Sequence, residues 1–489
     1  MRRINGMKTK QAVNPYLPSW EYVPDAEPHI VDGRVYIYGS HDLFNGLNFC
    51  LGDYVCWSAP VDDLGNWRYE GVIFKREQDP AAPKIRLTNG LAAPDMIQGP
   101  DGRFYLYYFM GGTKMISVAV CDKPAGKYEF YGYVKYADGT PIGKKEEPLQ
   151  FDPGVFMDDD GKLYLYTGFA LQGNPLLLDG SKPTEHGAMC FELDPADMLT
   201  VKMGPKYIGI ASEKEAPGSS YEGHPFLEAS SMRKFNGTYY FIYSSLNSHE
   251  LCYATSDNPT EGFEFGGVLV SNGDIGLPGI TDVKNARNCT GNTHGSLIEI
   301  NGSYYVFYHR HSNRKQSSRQ ACAERIRFEN GKFYQAEMTS CGLNDGPLKG
   351  KGNYPSYIAC NVYGKKGTRF LSMIKHPKSG HPYLTQEGKD REQGSDQYIA
   401  NMCDGAVAGF KYFDLRETSK VRINIKGKAT GVVYLSTEEG GKPVAKIQVK
   451  PCKEQHGFAA DVNGLGEKEA LYFSYKGTGA FNFMSFDLK

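Results

Sequence analysis

A short pattern recurs five times along the chain: a turn glycine, two residues, then a run rich in aromatic and β-branched side chains. It reads Gly33-Arg34-Val35-Tyr36-Ile37-Tyr38, Gly102-Arg103-Phe104-Tyr105-Leu106-Tyr107 and Gly161-Lys162-Leu163-Tyr164-Leu165-Tyr166. It returns at Gly237-Thr238-Tyr239-Tyr240-Phe241-Ile242 and Gly302-Ser303-Tyr304-Tyr305-Val306-Phe307. Such a repeat constrains the fold before anything else, because each copy is one supersecondary unit that must bury its faces against neighbours. The second copy predicts strands over 94–97, 103–109, 115–121 and 127–134, separated by Gly/Pro/Asp turns. The fourth predicts strands over 229–234, 239–244, 250–256 and 263–270. Four antiparallel strands repeated five times about an axis make an all-β, five-bladed β-propeller, expected over residues 1–335.

Six to nine residues before the five glycines stand Glu27, Asp95, Asp152, Glu228 and His294. The innermost strand of each blade lines the central channel, so these residues are expected to meet at one mouth. Crowded carboxylates raise one another's pKa values, and separated pKa values serve acid–base chemistry near neutrality. Two carboxyls flanking a glycosidic bond, a proton donor and a base, are the basis of glycoside hydrolysis. No Ser-His-Asp order, reactive Cys–His pair or phosphate-cradling loop competes with that reading. His294 is the one histidine among the five positions, and no transition-metal spacing accompanies it. Phe44, Trp57, Trp67, Phe109 and Phe169 offer faces for a sugar ring, or else fill blade cores.

With 55 basic and 56 acidic residues the chain has no field for nucleic acid, and none is expected as a partner. No apolar run approaches the ~18 residues of a membrane span, and the basic start 1–8 has no apolar segment after it. A cytoplasmic location is expected, or a secreted one if a leader has been removed. The 11 cysteines, scattered without C-x-x-C pairs, are expected as free thiols. Nothing in the sequence sets an oligomeric state.

Over residues 14–335 the chain resembles glycoside hydrolase family 43, inverting enzymes on a five-bladed propeller. The resemblance rests on Ala92-Ala93-Pro94-Asp95, Phe151-Asp152-Pro153, Phe226-Leu227-Glu228-Ala229 and His294-Gly295-Ser296. It implies Glu228 as the proton donor and Asp95 as the residue that tunes it. Asp152, His294 and Arg319 would contact substrate, and His294 lies where a structural calcium often sits in the channel. The family's base is an Asp-Pro aspartate; here the pair is Glu27-Pro28, which makes Glu27 the expected base and Asp25 its rival. The activity implied is release of a terminal pentose from plant-type oligosaccharides, as an α-L-arabinofuranosidase or β-xylosidase. A β-galactofuranosidase and a non-catalytic sugar-binding propeller are the alternatives.

Beyond residue 335 the pattern stops. The Gly/Lys-rich stretch within 336–352 reads as a linker. Short strands expected over 357–362, 398–400, 409–413, 420–426, 431–436, 445–449, 469–475 and 480–488 make 353–489 a jelly-roll-like β-sandwich. It resembles carbohydrate-binding module family 6. Phe481 and Phe483 share one parity, Phe486 and Leu488 the other, so a bulge or a second buried face is expected there.

Overall fold

The computed structural model describes residues 10–84, 90–143, 147–171, 182–378, 380–388, 390 and 396–489. The basic stretch 1–8 lies outside the described residues.

Five four-stranded antiparallel sheets follow one another along the chain, each in chain order from its first strand to its fourth. Their first strands are Glu27–Val31, Leu91–Gln98, Gly154–Met157, Phe226–Phe235 and Ser296–Ile300. Each of these touches the first strand of the blade on either side, and Ser296–Ile300 touches Glu27–Val31, so the ring closes. The hairpins between first and second strands explain the recurring glycine. Gly33, Gly237 and Gly302 have φ of 73°, 84° and 77°, and the residues before them, Asp32, Asn236 and Asn301, are also left-handed. Asp-Gly and Asn-Gly tolerate that geometry, which matches the twist of the flanking strands. The second strand of each blade then sends alternate side chains to opposite neighbours. Tyr36 and Tyr38 pack toward the second blade, whereas Val35 and Ile37 pack toward the fifth.

Among the described residues, no strand is shared between blades. The first and fifth blades meet through Val35, Ile37 and Trp57 against Ile298, Phe307 and Ala323, and through side-chain bonds such as Asn301 Nδ2 to Val61 O (2.9 Å). The chain ahead of the first blade crosses this seam. Asn14 is 3% exposed. Its amide donates to Ala323 O (3.0 Å), Glu324 Oε1 (2.8 Å) and Thr339 O (3.1 Å), and its carbonyl accepts from Ala323 N (3.0 Å).

The C-terminal part is a sandwich of two six-stranded sheets. One contains Asn361–Tyr363, Val407–Asp414, Glu469–Thr478 and Thr430–Ser436 in that lateral order, flanked by Leu348–Lys349 and Ala445–Val449. Between the sheets lie Phe410, Phe413, Phe473, Phe483 and Phe486. The expected bulge is present: Asn424 faces Ser485 but Ile425 faces Phe483. One inserted residue lets Phe481, Phe483, Phe486 and Leu488 all point inward, none more than 2% exposed.

The stretch 336–352 is not a free linker. Ala336 N bonds Leu269 O at 2.7 Å, Met338, Leu343 and Leu348 are buried, and Leu348–Lys349 pairs with Phe413–Asp414. Its apolar residues outweigh its glycines and lysines. The two parts are further joined by Lys411, buried in the sandwich, which pairs with Asp274 (3.3 Å) of the propeller and Glu337 (2.8 Å) of this stretch. The eleven cysteines carry free thiols, seven of them buried.

Candidate active site

The inner strands do bring titratable residues to the channel, but in two layers. In four blades a left-handed residue turns the chain at the channel mouth: Asp25 (φ 58°), Ala93 (φ 40°), Asp152 (φ 46°) and Ala229 (φ 69°). Asp25, Asp152, Glu228 and His294 line a cleft of about 280 Å³, with Phe49, Phe151, Phe169, Asn292, Gln316 and Arg319. Glu27 and Asp95 do not line it. They sit two residues further along their strands, beneath the cleft, in a layer with Ser231 and Ser296. There Ser231 Oγ donates to Glu27 Oε2 (3.1 Å) and lies 2.8 Å from Ser296 Oγ.

Glu27 is therefore corrected as the base. The strand begins at Glu27, and the left-handed turn at Asp25 gives the two residues different depths rather than one shared direction. Arg233 forms an ion pair with Glu27 Oε2. Asp95 is corrected as the residue that tunes the acid. It is wholly buried; its Oδ1 faces His29 Nε2 (2.7 Å) and accepts from Met96 N (2.8 Å), and its Oδ2 accepts from Val155 N (2.8 Å). Burial would raise the Asp95 pKa, but His29 and Arg233 outweigh it and hold it low.

The cleft groups are pulled apart in acidity. Burial, then the negative charge of Asp152, push the Glu228 carboxyl up to about 8, with Asp25 adding to the rise. Burial also acts to raise Asp25, but the Arg319 guanidinium and His309 outweigh it and keep it well below the usual carboxylate range. Arg319 Nη1 donates to Asp25 Oδ1 at 2.8 Å, and His309 Nδ1 lies 3.4 Å from the same oxygen. Asp152 Oδ2 accepts from Ala229 N (3.2 Å) and lies 3.4 Å from His294 Nδ1. Burial works against charging His294, yet Asp152, Asp25 and Glu27 raise its pKa to about 9. The site thus holds one protonated carboxyl and one firmly ionised carboxylate across a partly apolar cleft.

Arg319 lines the cleft, but its fork is largely committed. Nε and Nη2 hold Asp42 at 2.8 and 2.9 Å while Nη1 holds Asp25. It fixes the orientation of Asp25 more than it offers itself to sugar hydroxyls. Of the five aromatic residues expected at the sugar, Phe169 alone lines the cleft. Trp57 lies in the blade core with its indole N–H on Glu21 (2.9 Å). Trp67 packs on Tyr16, Phe109 on Phe151, and Phe44 on Tyr22. Phe49 and Phe151 were missed, although Phe151 adjoins Asp152.

Calcium takes six to eight oxygen ligands. Beside His294 the nearest carboxylate oxygen is Asp152 Oδ2, 3.4 Å from its Nδ1. Among the described residues, the two groupings of three possible ligands are His224, Glu250, Cys252 and Glu27, His29, Asp95, and neither includes His294. The calcium expected at His294 therefore finds no set of three protein ligands there among the described residues.

Residues 20–333 match the sequence model of glycosyl hydrolases family 43. The chain belongs to this family. A xylosidase/arabinosidase of Thermoclostridium stercorarium is 50% identical over 482 residues, covering 98% of this chain and 99% of that protein. Another, from Bacteroides ovatus, is 30% identical over 326 residues, 62% of this chain and 89% of its own. Among solved structures, a family 43 β-xylosidase/α-arabinofuranosidase from a compost microbial metagenome, in complex with xylotriose and calcium-free, is 28% identical. It superposes with a TM-score of 0.50, covering 68% of this chain and 98% of that one. The chain is a family 43 glycoside hydrolase, and that family inverts anomeric configuration.

Proposed function

We propose that this hydrolase removes single terminal pentoses, β-D-xylosyl and α-L-arabinofuranosyl, from the ends of plant-type oligosaccharides, with Glu228 as acid and Asp25 as base. The observation that carries the assignment is the opposed protonation of two carboxyls in one cleft: Glu228 up to about 8, Asp25 held ionised. Glu228 gives its proton to the leaving oxygen. Asp25 takes a proton from the water that attacks the opposite face of the sugar. Among the described residues no hydrogen bond falls on Asp25 Oδ2, which leaves that oxygen for the water. Asp152 keeps Glu228 protonated by its charge and is itself oriented by Ala229 N and His294. A cleft of about 280 Å³ is at the small end for ligand sites, which suits one sugar unit rather than an extended run. The substrate pair follows the names of the relatives at 50% and 30% identity.

The test is turnover of aryl β-D-xyloside, α-L-arabinofuranoside and β-D-galactofuranoside, with the first product anomer followed by proton NMR. Release of α-xylose from the β-xyloside is expected. Retained configuration, or turnover surviving in Glu228→Gln, would overturn the assignment. No turnover of any substrate by the wild type would favour a sugar-binding propeller without catalysis.

A further inference from the structure

Away from the cleft, the fourth blade gathers a histidine, a carboxylate and a thiol. Glu250 opens the third strand of that blade, Glu250–Ser256, and Cys252 stands two residues on, so both side chains leave the same face. His224 lies just ahead of the innermost strand, Phe226–Phe235. One ligand atom from each falls within 4.8 Å of the other two. His224 Nδ1 is 2.7 Å from Glu250 Oε1. Cys252 is wholly buried and Glu250 nearly so, whereas the His224 side chain is 32% exposed. The group is closed toward the blade interior and open to solvent on the imidazole side.

The ligands are backed by further contacts. Glu250 Oε1 accepts from Ser245 Oγ and from Asn247 Nδ2 (2.9 Å). The His224 ring lies flat on Phe265, with centroids 4.6 Å apart and an interplanar angle of 11°. Tyr243 OH donates to His224 O (2.8 Å). Outer contacts of this kind orient the ligands of a metal. Among the described residues no lysine or arginine forms an ion pair with Glu250, which leaves its charge to His224. The other grouping of three, Glu27, His29 and Asp95, already holds a cation, since Arg233 pairs with Glu27.

The donor set selects the ion. A thiolate and an imidazole are poor ligands for calcium and magnesium, which prefer oxygen. Zinc accepts Cys, His and carboxylate together, and where the protein supplies three ligands a water takes the fourth position. Zinc–nitrogen and zinc–sulfur bonds of about 2.0 and 2.3 Å set neighbouring ligand atoms roughly 3.2–3.6 Å apart. The His224–Glu250 pair has to open by about 0.5 Å to admit the ion, a small outward movement of the half-exposed imidazole.

We propose that His224, Glu250 and Cys252 form a zinc site in the fourth blade, with water as the fourth ligand. Zn²⁺ takes the place of the Cys252 thiol proton and of any proton between His224 and Glu250, and these go to solvent. None of the three residues lines the catalytic cleft. The two places are nonetheless linked, because Asn247, which donates to Glu250, precedes Ser248, which lines the cleft with a left-handed backbone (φ 65°). The ion braces that turn.

The experiment is titration of the intact, chelator-treated protein with Co²⁺, which reports a thiolate ligand by a sulfur-to-cobalt charge-transfer band, followed by displacement with Zn²⁺. One cobalt per chain with that band, bleached by zinc, is expected. Cys252→Ser should abolish the band. His224→Ala, a change at a half-exposed side chain, should weaken cobalt binding at least about tenfold. Zinc at about a hundred times its Kd should raise the melting temperature of the wild type by about 2–5 °C, and raise that of His224→Ala by less. Absence of the band in the wild type, its persistence in Cys252→Ser, or unchanged cobalt affinity in His224→Ala would overturn the site.

Discussion

Replacing Asp152 by Asn isolates the charge that keeps the acid protonated while leaving an oxygen to accept from Ala229 N. Glu228 stands at about 8 against an ordinary 4.5, a displacement worth about 5 kcal/mol. Burial is its largest cause and survives the substitution; the Asp152 charge is second. A unit charge acting across about 6–10 Å at an effective dielectric near 20 is worth about 2–3 kcal/mol. Part of that is returned. His294 owes its own rise to about 9 chiefly to Asp152, and once that partner is neutral it sheds charge and stops lowering Glu228. A net fall of about one pKa unit results. The acid of the free enzyme sets the alkaline limb of kcat/KM, so the limb should move from about 8 to about 7. On aryl β-D-xyloside the variant should lose about sevenfold more than wild type on going from pH 6 to pH 8.5. Asp95→Asn is the control, because Asp95 lies outside the cleft with its oxygens held by His29, Met96 N and Val155 N. An alkaline limb that stays put in Asp152→Asn, or moves as far in Asp95→Asn, would refute the two-layer reading of the channel.

Asp25→Asn should lower kcat/KM by about 10²–10⁴-fold, whereas Glu27→Gln should stay within about tenfold of wild type on the same substrate. The Glu27 change should instead cost stability, about 3–5 kcal/mol by urea unfolding, because Arg233 loses its buried partner. Glu228 has a raised folded-state pKa, so its stabilising contribution is whole below 4.5 and is lost as pH rises through about 8. Glu228→Gln should therefore gain in melting temperature relative to wild type at pH 9 and show little gain at pH 4.5. Asn14→Ala removes four hydrogen bonds across the blade seam and should cost about 2–4 kcal/mol in unfolding free energy.

The propeller was legible because its signal is redundant: five Gly-x-x-Tyr hairpins, each with the turn chemistry that the backbone then uses at Gly33, Gly237 and Gly302. The sandwich core showed in alternation, including the parity change between Phe483 and Phe486. The long strand Cys452–Asp461 was missed, since most of its residues are exposed and it carries little apolar alternation. Glu228 was expected in the cleft and lines it, but Glu27 and Asp95, expected beside it, lie one layer deeper. The needed signal was present. Asp25, Asp152, Glu228 and His294 stand eight or nine residues before their turn glycines, while Glu27 and Asp95 stand six and seven. A strand advances about 3.3 Å per residue, so a two-residue difference in that count is a difference of depth along the axis. What no count could supply is the left-handed backbone at Asp25 and Asp152, which turns their carboxyls to the mouth.

Because every blade is woven from one uninterrupted stretch of chain, the torus has a single place where covalent continuity runs out. Four of its five junctions are bridged by the polypeptide itself; the remaining one depends on interlocked side chains and on Asn14 acting as a clasp. Thermal failure should start there, with the outermost blades parting before any individual sheet melts. Asp25 and Arg319 sit on opposite banks of that gap, so their ion pair is broken as soon as it opens. Hydrolysis would then cease while most of the β-structure is still intact.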